Sequence, residues 1–267
     1  MRLLEKIFYE RIVKPLLYTS RLGRKSMFGY ADSGLNFDHI YKNEAKGYTK
    51  FGKFIDKILL NLPASKATRY RKEKIVKILQ QELEKNRAVN KKTKIVDLAS
   101  GPARYLIELM NNSENRKWAE ALCLDADRAS LQYGKILSAG KPMLYKKVNV
   151  LKLGRRYKEF SEKKAWRPNI ILVSGLYEYL DDSIVKKSIK DIHNYLDTDG
   201  LLFFITQANN PNKKLIENVG ITKSGRKWVL FYRKPEILRT WVKEAGYKEM
   251  IIELDPWKMY EFCRCRK

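Results

Sequence analysis

Only three cysteines, Cys123, Cys263 and Cys265, occur in 267 residues, so no disulfide scaffold holds this chain and a reducing compartment suits it. Cys263 and Cys265 alternate without further Cys or His at ligand spacing, which excludes a zinc site, and Cys123 reads as core. Histidine is scarcer still, with His39 and His193 the only two, and no metal-binding cluster is expected. No apolar run reaches roughly 18 residues, so no helix is expected to span a bilayer. Met1–Tyr18 lacks the continuous apolar centre of a signal peptide. Repeats and low-complexity stretches are absent. Acidic residues number 30 against 55 basic ones, a formal net charge of +25. That imbalance predicts an anionic partner, either nucleic acid or a membrane surface.

What is present suffices for a core, with 44% of residues hydrophobic. The charge is concentrated: residues 1–92 carry a net +13, about half the excess in a third of the length. We read residues 1–92 as a basic helical extension or lid and residues 93–267 as a separate domain. In the latter, strands are expected at Lys94–Ala99, Ala119–Leu124, Leu144–Val150, Ile170–Val173 and Leu201–Thr206. Helices are expected at Ala103–Met110, Arg128–Leu137 and Ser183–Leu196, and the alternation means a parallel sheet covered by helices. The end differs. After a helix at Pro235–Ala245, the runs Glu249–Leu254 and Met259–Cys265 are joined by four residues, which permits only an antiparallel hairpin.

The first strand-to-helix turn is where an open α/β sheet binds ligands. It reads Asp97-Leu98-Ala99-Ser100-Gly101-Pro102-Ala103-Arg104, with small residues at every second position that let a ligand approach the backbone. The following helix start offers free N–H groups to an anion. A dinucleotide fingerprint would need Gly at Arg104, and a P-loop would need Gly-Lys-Ser/Thr, so both are disfavoured. Asp97 suits a ligand with a cationic group. Asp125, ending the second strand, suits two ribose hydroxyls. A nucleoside joined to an amino acid has that form, and S-adenosylmethionine is such a molecule.

These residues resemble the class I S-adenosylmethionine-dependent methyltransferases. The family resemblance implies a Rossmann-like α/β fold, a mostly parallel seven-stranded sheet closed by a C-terminal antiparallel hairpin, here with an N-terminal helical extension. It implies cofactor contacts at Asp97, Ala99, Ser100, Gly101, Arg104, Asp125, Ala126, Asn149, Val150 and Ser174, with Ala at two positions where glycine is usual. The tract Val173–Tyr179 matches the family's border of the reactive methyl. Asp97–Tyr105, Val173–Glu178 and the tail through Gln207, Trp228, Gly246 and Trp257 are similar to a bacterial branch often fused behind an α/β-hydrolase domain and found among phospholipid-synthesis proteins.

Each residue also has a plainer reading. Asp97 can be an edge residue, Asp125 a helix cap (Asp127 is the better cap), and Arg104 a surface residue. Glu178 is either a general base or the cap of the next helix, with Tyr177 beside it facing the reaction. His193 reads as structural. His39, with Tyr41, is a second catalytic and cofactor-closing candidate in the region that often covers the cofactor in this family.

For the acceptor, the Ser174–Tyr177 tract lacks the Asn/Asp-Pro-Pro-Tyr/Phe pattern of nucleobase amino-methylation, and no cysteine lies there for carbon-5 chemistry. Met1–Tyr18 reads as a basic amphipathic helix able to lie on an anionic membrane or to pack on the domain. A second basic helix, Ala67–Lys85, is expected to bury Ile75, Ile78, Leu79 and Leu83 and to send Arg69, Arg71, Lys72, Lys74 and Lys77 to solvent. Three functions are therefore open: methyl transfer to a lipid-like acceptor by a cytoplasmic enzyme peripheral at the inner membrane face, RNA methylation on the basic third, or a non-catalytic cofactor fold.

Overall fold

The computed structural model describes residues 3–150 and 167–267. The N-terminal part runs α1 (Leu3–Phe8), a π-helical stretch (Tyr9–Val13), α2 (Lys14–Thr19), α3 (Arg21–Met27), α4 (Gly34–Lys42), α5 (Lys50–Asn61) and α6 (Pro63–Ala88). Then follow β1 (Thr93–Leu98), α7 (Arg104–Leu109), α8 (Ser113–Trp118), β2 (Ala119–Asp125), α9 (Arg128–Leu137) and β3 (Met143–Lys147). Beyond residue 166 come β4 (Ile170–Ser174), a 3-10 turn (Tyr177–Tyr179), α10 (Asp182–Tyr195), β5 (Leu201–Gln207), α11 (Lys213–Val219), α12 (Pro235–Glu244), β6 (Glu249–Leu254) and β7 (Tyr260–Arg266).

Two compact units share these elements, and the division differs from the one expected at residue 92. The first unit is residues 1–70 with 209–230, and the second is residues 71–208 with 231–267. The reason is visible in α6. Its Ile75, Ile78, Leu79 and Leu83 are buried as expected, but Lys72 and Lys74 pair with Glu108 and Glu253, and Glu82 pairs with Arg266. The second half of α6 therefore belongs with the sheet.

The second unit holds one seven-stranded sheet in the order β3-β2-β1-β4-β5-β7-β6. All pairs are parallel except those of β7, which runs antiparallel to both β5 and β6. The order reverses between β1 and β4, the switch point at whose carboxyl ends ligands bind. β4 and β5 are buried along their whole length because helices cover both faces. One face carries Val96, Ile171, Val173, Leu202, Phe204, Cys263 and Cys265 against α10 and α12. β3 ends at Lys147, earlier than expected, and the Val148 amide donates to the Asp125 carbonyl.

The first unit is smaller. Buried Asp56 of α5 ties it together: its Oδ1 accepts from the Ser20 hydroxyl and the Leu22 amide, and its Oδ2 accepts from the Lys46 amide at 2.7 Å. Leu22, Ile40 and Leu60 form a compact core there. Gly52 lets α5 approach the end of α2, since a Cβ would sit 2.1 Å from the Thr19 carbonyl oxygen.

Candidate active site

The loop after β1 is unusually wound. Ala99, Gly101 and Ala103 all take left-handed backbone conformations, with φ of 56°, 54° and 55°. A Cβ in that region costs about 1 kcal/mol per residue, so two alanines hold strain where glycine would hold none. Alternating left-handed residues turn the backbone into a concave surface lined with amides. α7 has only six residues, so the expected helix-terminus contribution is small beside that of the loop.

The loop is held from several directions. The Gly101 amide donates to Asp125 Oδ2 at 2.7 Å, and the Asp127 amide to Oδ1 at 2.7 Å. The Ser100 amide donates to the Leu124 carbonyl. From β3, the Tyr145 hydroxyl donates to the Pro102 carbonyl at 3.2 Å, and Gly134 of α9 leaves room for that ring. Asp127, not Asp125, caps α9 by accepting from the Ala129 amide. Asp125 is thus free of capping duty, although both its oxygens support the loop.

Asp97 is fully buried beneath this loop. Its Oδ2 accepts from the Tyr105 hydroxyl at 2.8 Å, while Oδ1 has no hydrogen-bond partner among the described residues. Burial raises the Asp97 carboxyl well above the usual range, the Tyr105 hydrogen bond opposes this, and the nearby Asp125 charge adds to it. Burial also raises Asp125, against the hydrogen bonds from the Asp127 and Gly101 amides. Two adjacent acids, one with an unsatisfied buried oxygen, suit a ligand that brings positive charge and hydrogen-bond donors.

Further along the carboxyl edge, Ser174 ends β4 with its hydroxyl buried and without partner among the described residues. Glu178 is buried in the 3-10 turn, not capping the next helix, whose N-cap is Asp181. Gln207 Nε2 donates to Glu178 Oε1 at 3.4 Å, and Oε2 has no partner among the described residues. Burial raises the Glu178 carboxyl, and Arg71, Gln207 and Arg233 pull it back. Arg233 fixes this turn by donating to the Tyr177 and Leu180 carbonyls and to Asp182. Arg71 sits over the Tyr260 ring, 4.8 Å from its centroid. A Cβ on Gly175 would lie 3.4 Å from the Arg71 guanidinium.

Several expectations need correction. Tyr177 does not face the edge: it is fully buried against Phe204, and its hydroxyl meets Ser188 Oγ of α10 at 3.1 Å. The 3-10 turn after β4 carries it into the α10-facing core, where it packs with Val173. His39 and Tyr41 lie in the first unit. The buried His39 holds the chain after α4, its Nε2 donating to the Glu44 carbonyl at 2.8 Å, and burial lowers its pKa. Asn149 and Ala126 are exposed near Asp125, and Val150 is half-buried. Arg71 is buried at 2% exposure instead of facing solvent. It lies one turn before Ile75 on the same stripe, a phase the sequence carries but its charge disguises. Tyr105 and Gln207 stand in the tracts that carry the family resemblance, but only the structure gives them a role, against Asp97 and Glu178.

The strand order and the loop with paired acids define the methyltransferase type of α/β fold. The chain belongs to the family described as "Putative methyltransferase", whose model matches residues 11–267. It is 26% identical over 231 residues to the uncharacterized protein YnbC of Escherichia coli (strain K12). That match takes in 86% of this chain but spans only 39% of YnbC. Solved structures share the fold. One is a "possible exported protein" from Bordetella parapertussis (19% identity, 95% of this chain and 85% of that one, TM-score 0.72). Another is magnesium protoporphyrin IX methyltransferase from Synechocystis PCC 6803 with bound SAH (9% identity, 87% and 94%, TM-score 0.57). No helix of the described residues is long and apolar enough to cross a membrane, and among them no cluster of metal-ligating side chains occurs.

Proposed function

We propose that this enzyme transfers a methyl group from S-adenosylmethionine to a lipid or lipid-like acceptor at a membrane surface. The observation that carries the cofactor assignment is the unsatisfied Asp97 oxygen beneath three left-handed turns, beside Asp125. The residues fit the group. Asp97 would take its cationic amino-acid end, and Ala99, Ser100, Gly101 and Arg104 would line its path. Asp125 would accept from the ribose, Ala126, Asn149 and Val150 would border the base, and Ser174 would lie toward the sulfur. When bound, the cofactor supplies a methyl group on a positively charged sulfur, open to in-line displacement. Glu178 holds a carboxyl raised by burial and is suited to take the proton of an acceptor amine or hydroxyl. Gln207 and Arg71 orient that carboxyl.

The acceptor reading draws on the N-terminus. Leu3 and Leu4 are 73% and 79% exposed, and Ile7, Phe8, Ile12 and Leu16 are exposed as well. Lys6, Arg11 and Lys14 interleave them; Met1 and Arg2 lie outside the described residues. A basic helix with uncovered apolar residues suits an anionic membrane, and this supports reading the protein as a cytoplasmic enzyme peripheral at the inner face. The resemblance to the hydrolase-fused branch is consistent with the greater length of YnbC. Methyl-labelled S-adenosylmethionine incubated with the protein and separate lipid and RNA extracts tests the reading. Label in the lipid fraction, lost with Glu178→Gln, is expected. Label confined to RNA would replace the acceptor, and no label in either would refute it.

A further inference from the structure

The first unit contains a cavity of about 690 Å³, within the roughly 300–1,000 Å³ typical of small-ligand sites. Its walls come from opposite ends of the chain. Lys6, Tyr9 and Tyr18 come from the N-terminal helices, Phe28 from just beyond α3, and Ile221 and Lys227 from the hairpin near residue 225. An antiparallel bridge between Ile221 and Lys227, with Gly225 at φ 78°, builds that hairpin wall. On the other wall the helix widens into a π turn at Tyr9–Val13. Such turns are uncommon and recur at functional sites.

The net charge at this cavity is positive, with Lys6, Lys14 and Lys227 set against Glu10 alone. Glu10 pairs with Lys14 at 2.6 Å, and the charges of Lys14, Lys6 and Lys227 all hold the Glu10 carboxyl below its usual range. Three ammonium groups therefore converge on one carboxylate, leaving a surplus of two at the rim. The interior is aromatic and aliphatic: Tyr18 and Phe28 meet edge to face at 6.0 Å. An apolar bowl with a cationic rim matches one ligand chemistry, an apolar body ending in a carboxylate or phosphate. We propose that this cavity binds a single amphipathic anion of that kind, at a site built entirely within the first unit. The inference stands apart from the methyl-transfer reading and survives its failure.

Calorimetry on the full chain tests it with four probes below their micelle concentrations: dodecyl phosphate, dodecanol, dodecyltrimethylammonium and inorganic phosphate. Dodecyl phosphate should bind one per chain, at least about tenfold tighter than the other three, because each of them lacks either the anionic head or the apolar body. Lys6→Glu/Lys227→Glu should weaken it by a further tenfold or more. Lys50→Glu/Lys57→Glu, of equal net charge but on α5 outside the cavity, should leave it unchanged. All four lysine positions, test and control, are on the surface, and Lys6→Gln/Lys227→Gln gives a milder version of the same test. Equal weakening by both charge-reversed chains would reduce the effect to overall charge and overturn the site. So would equal affinity for the cationic probe, or binding to anionic vesicles with none to the monomeric amphiphile.

Discussion

Glu261 offers a stability test that needs no ligand. On β7 it pairs across to Thr206 of β5 and Leu254 of β6, and it is 1% exposed. Strand parity puts it on the same face as Cys263 and Cys265. Neither carboxylate oxygen has a partner among the described residues, and neither does the Thr206 hydroxyl opposite. Burial, with a smaller push from the Glu236 charge, moves its pKa up to about 7 from the ordinary 4.5. The unfolded chain thus loses this proton near 4.5 and the folded one near 7. Across that window the folded state binds more protons, so stability falls as pH rises, and the loss is complete just above pH 7. The shift corresponds to about 3 kcal/mol. Glu261→Gln keeps the shape and removes the ionisation. Urea unfolding at constant ionic strength should show the variant gaining about 2–3 kcal/mol on the wild type between pH 5 and pH 8. Parallel curves for the two chains would refute the reasoning.

Ala99→Gly and Ala103→Gly relieve left-handed strain and should each raise stability by up to about 1 kcal/mol; calorimetric melting showing a loss at both would contradict the loop geometry. The raised Asp97 carboxyl should release a proton when a cationic group binds beside it, so S-adenosylmethionine should bind more tightly as pH rises. Identical binding heats in buffers of different ionisation enthalpy would argue against that. Glu178→Gln should lower kcat about 100-fold or more while leaving cofactor affinity unchanged, and a purely structural role would instead show as a lowered melting temperature. Asp56→Ala strands the Ser20 hydroxyl and the Leu22 and Lys46 amides and should cost about 3 kcal/mol, checked by denaturant unfolding.

Much of the second unit is legible because its signals are local. The helix Arg128–Leu137 and the strand Glu249–Leu254 fall where periodicity puts them, and the four-residue link forces the antiparallel hairpin. Asp127 is readable as a cap because it precedes the helix by one residue. What is not legible depends on tertiary neighbours. Arg71 looks solvated by type, and only the packing of α6 buries it over Tyr260. Tyr177 follows β4 as the motif suggests, yet the Arg233-clamped turn sends it into the α10-facing core. Residues 209–230 return to the first unit after the chain has left it at residue 70, as when Asn212 Oδ1 accepts from the Ala64 amide. No composition shift announces that return.

Calorimetric titration of the full chain with S-adenosylmethionine is the most direct measurement. One-to-one binding is expected, weakened at least about tenfold by Asp125→Ala and abolished by Asp97→Ala, with both variants still folded by circular dichroism. Absence of binding by the wild-type chain, or unchanged affinity in Asp97→Ala, would contradict the assignment of the loop after β1 as the cofactor site.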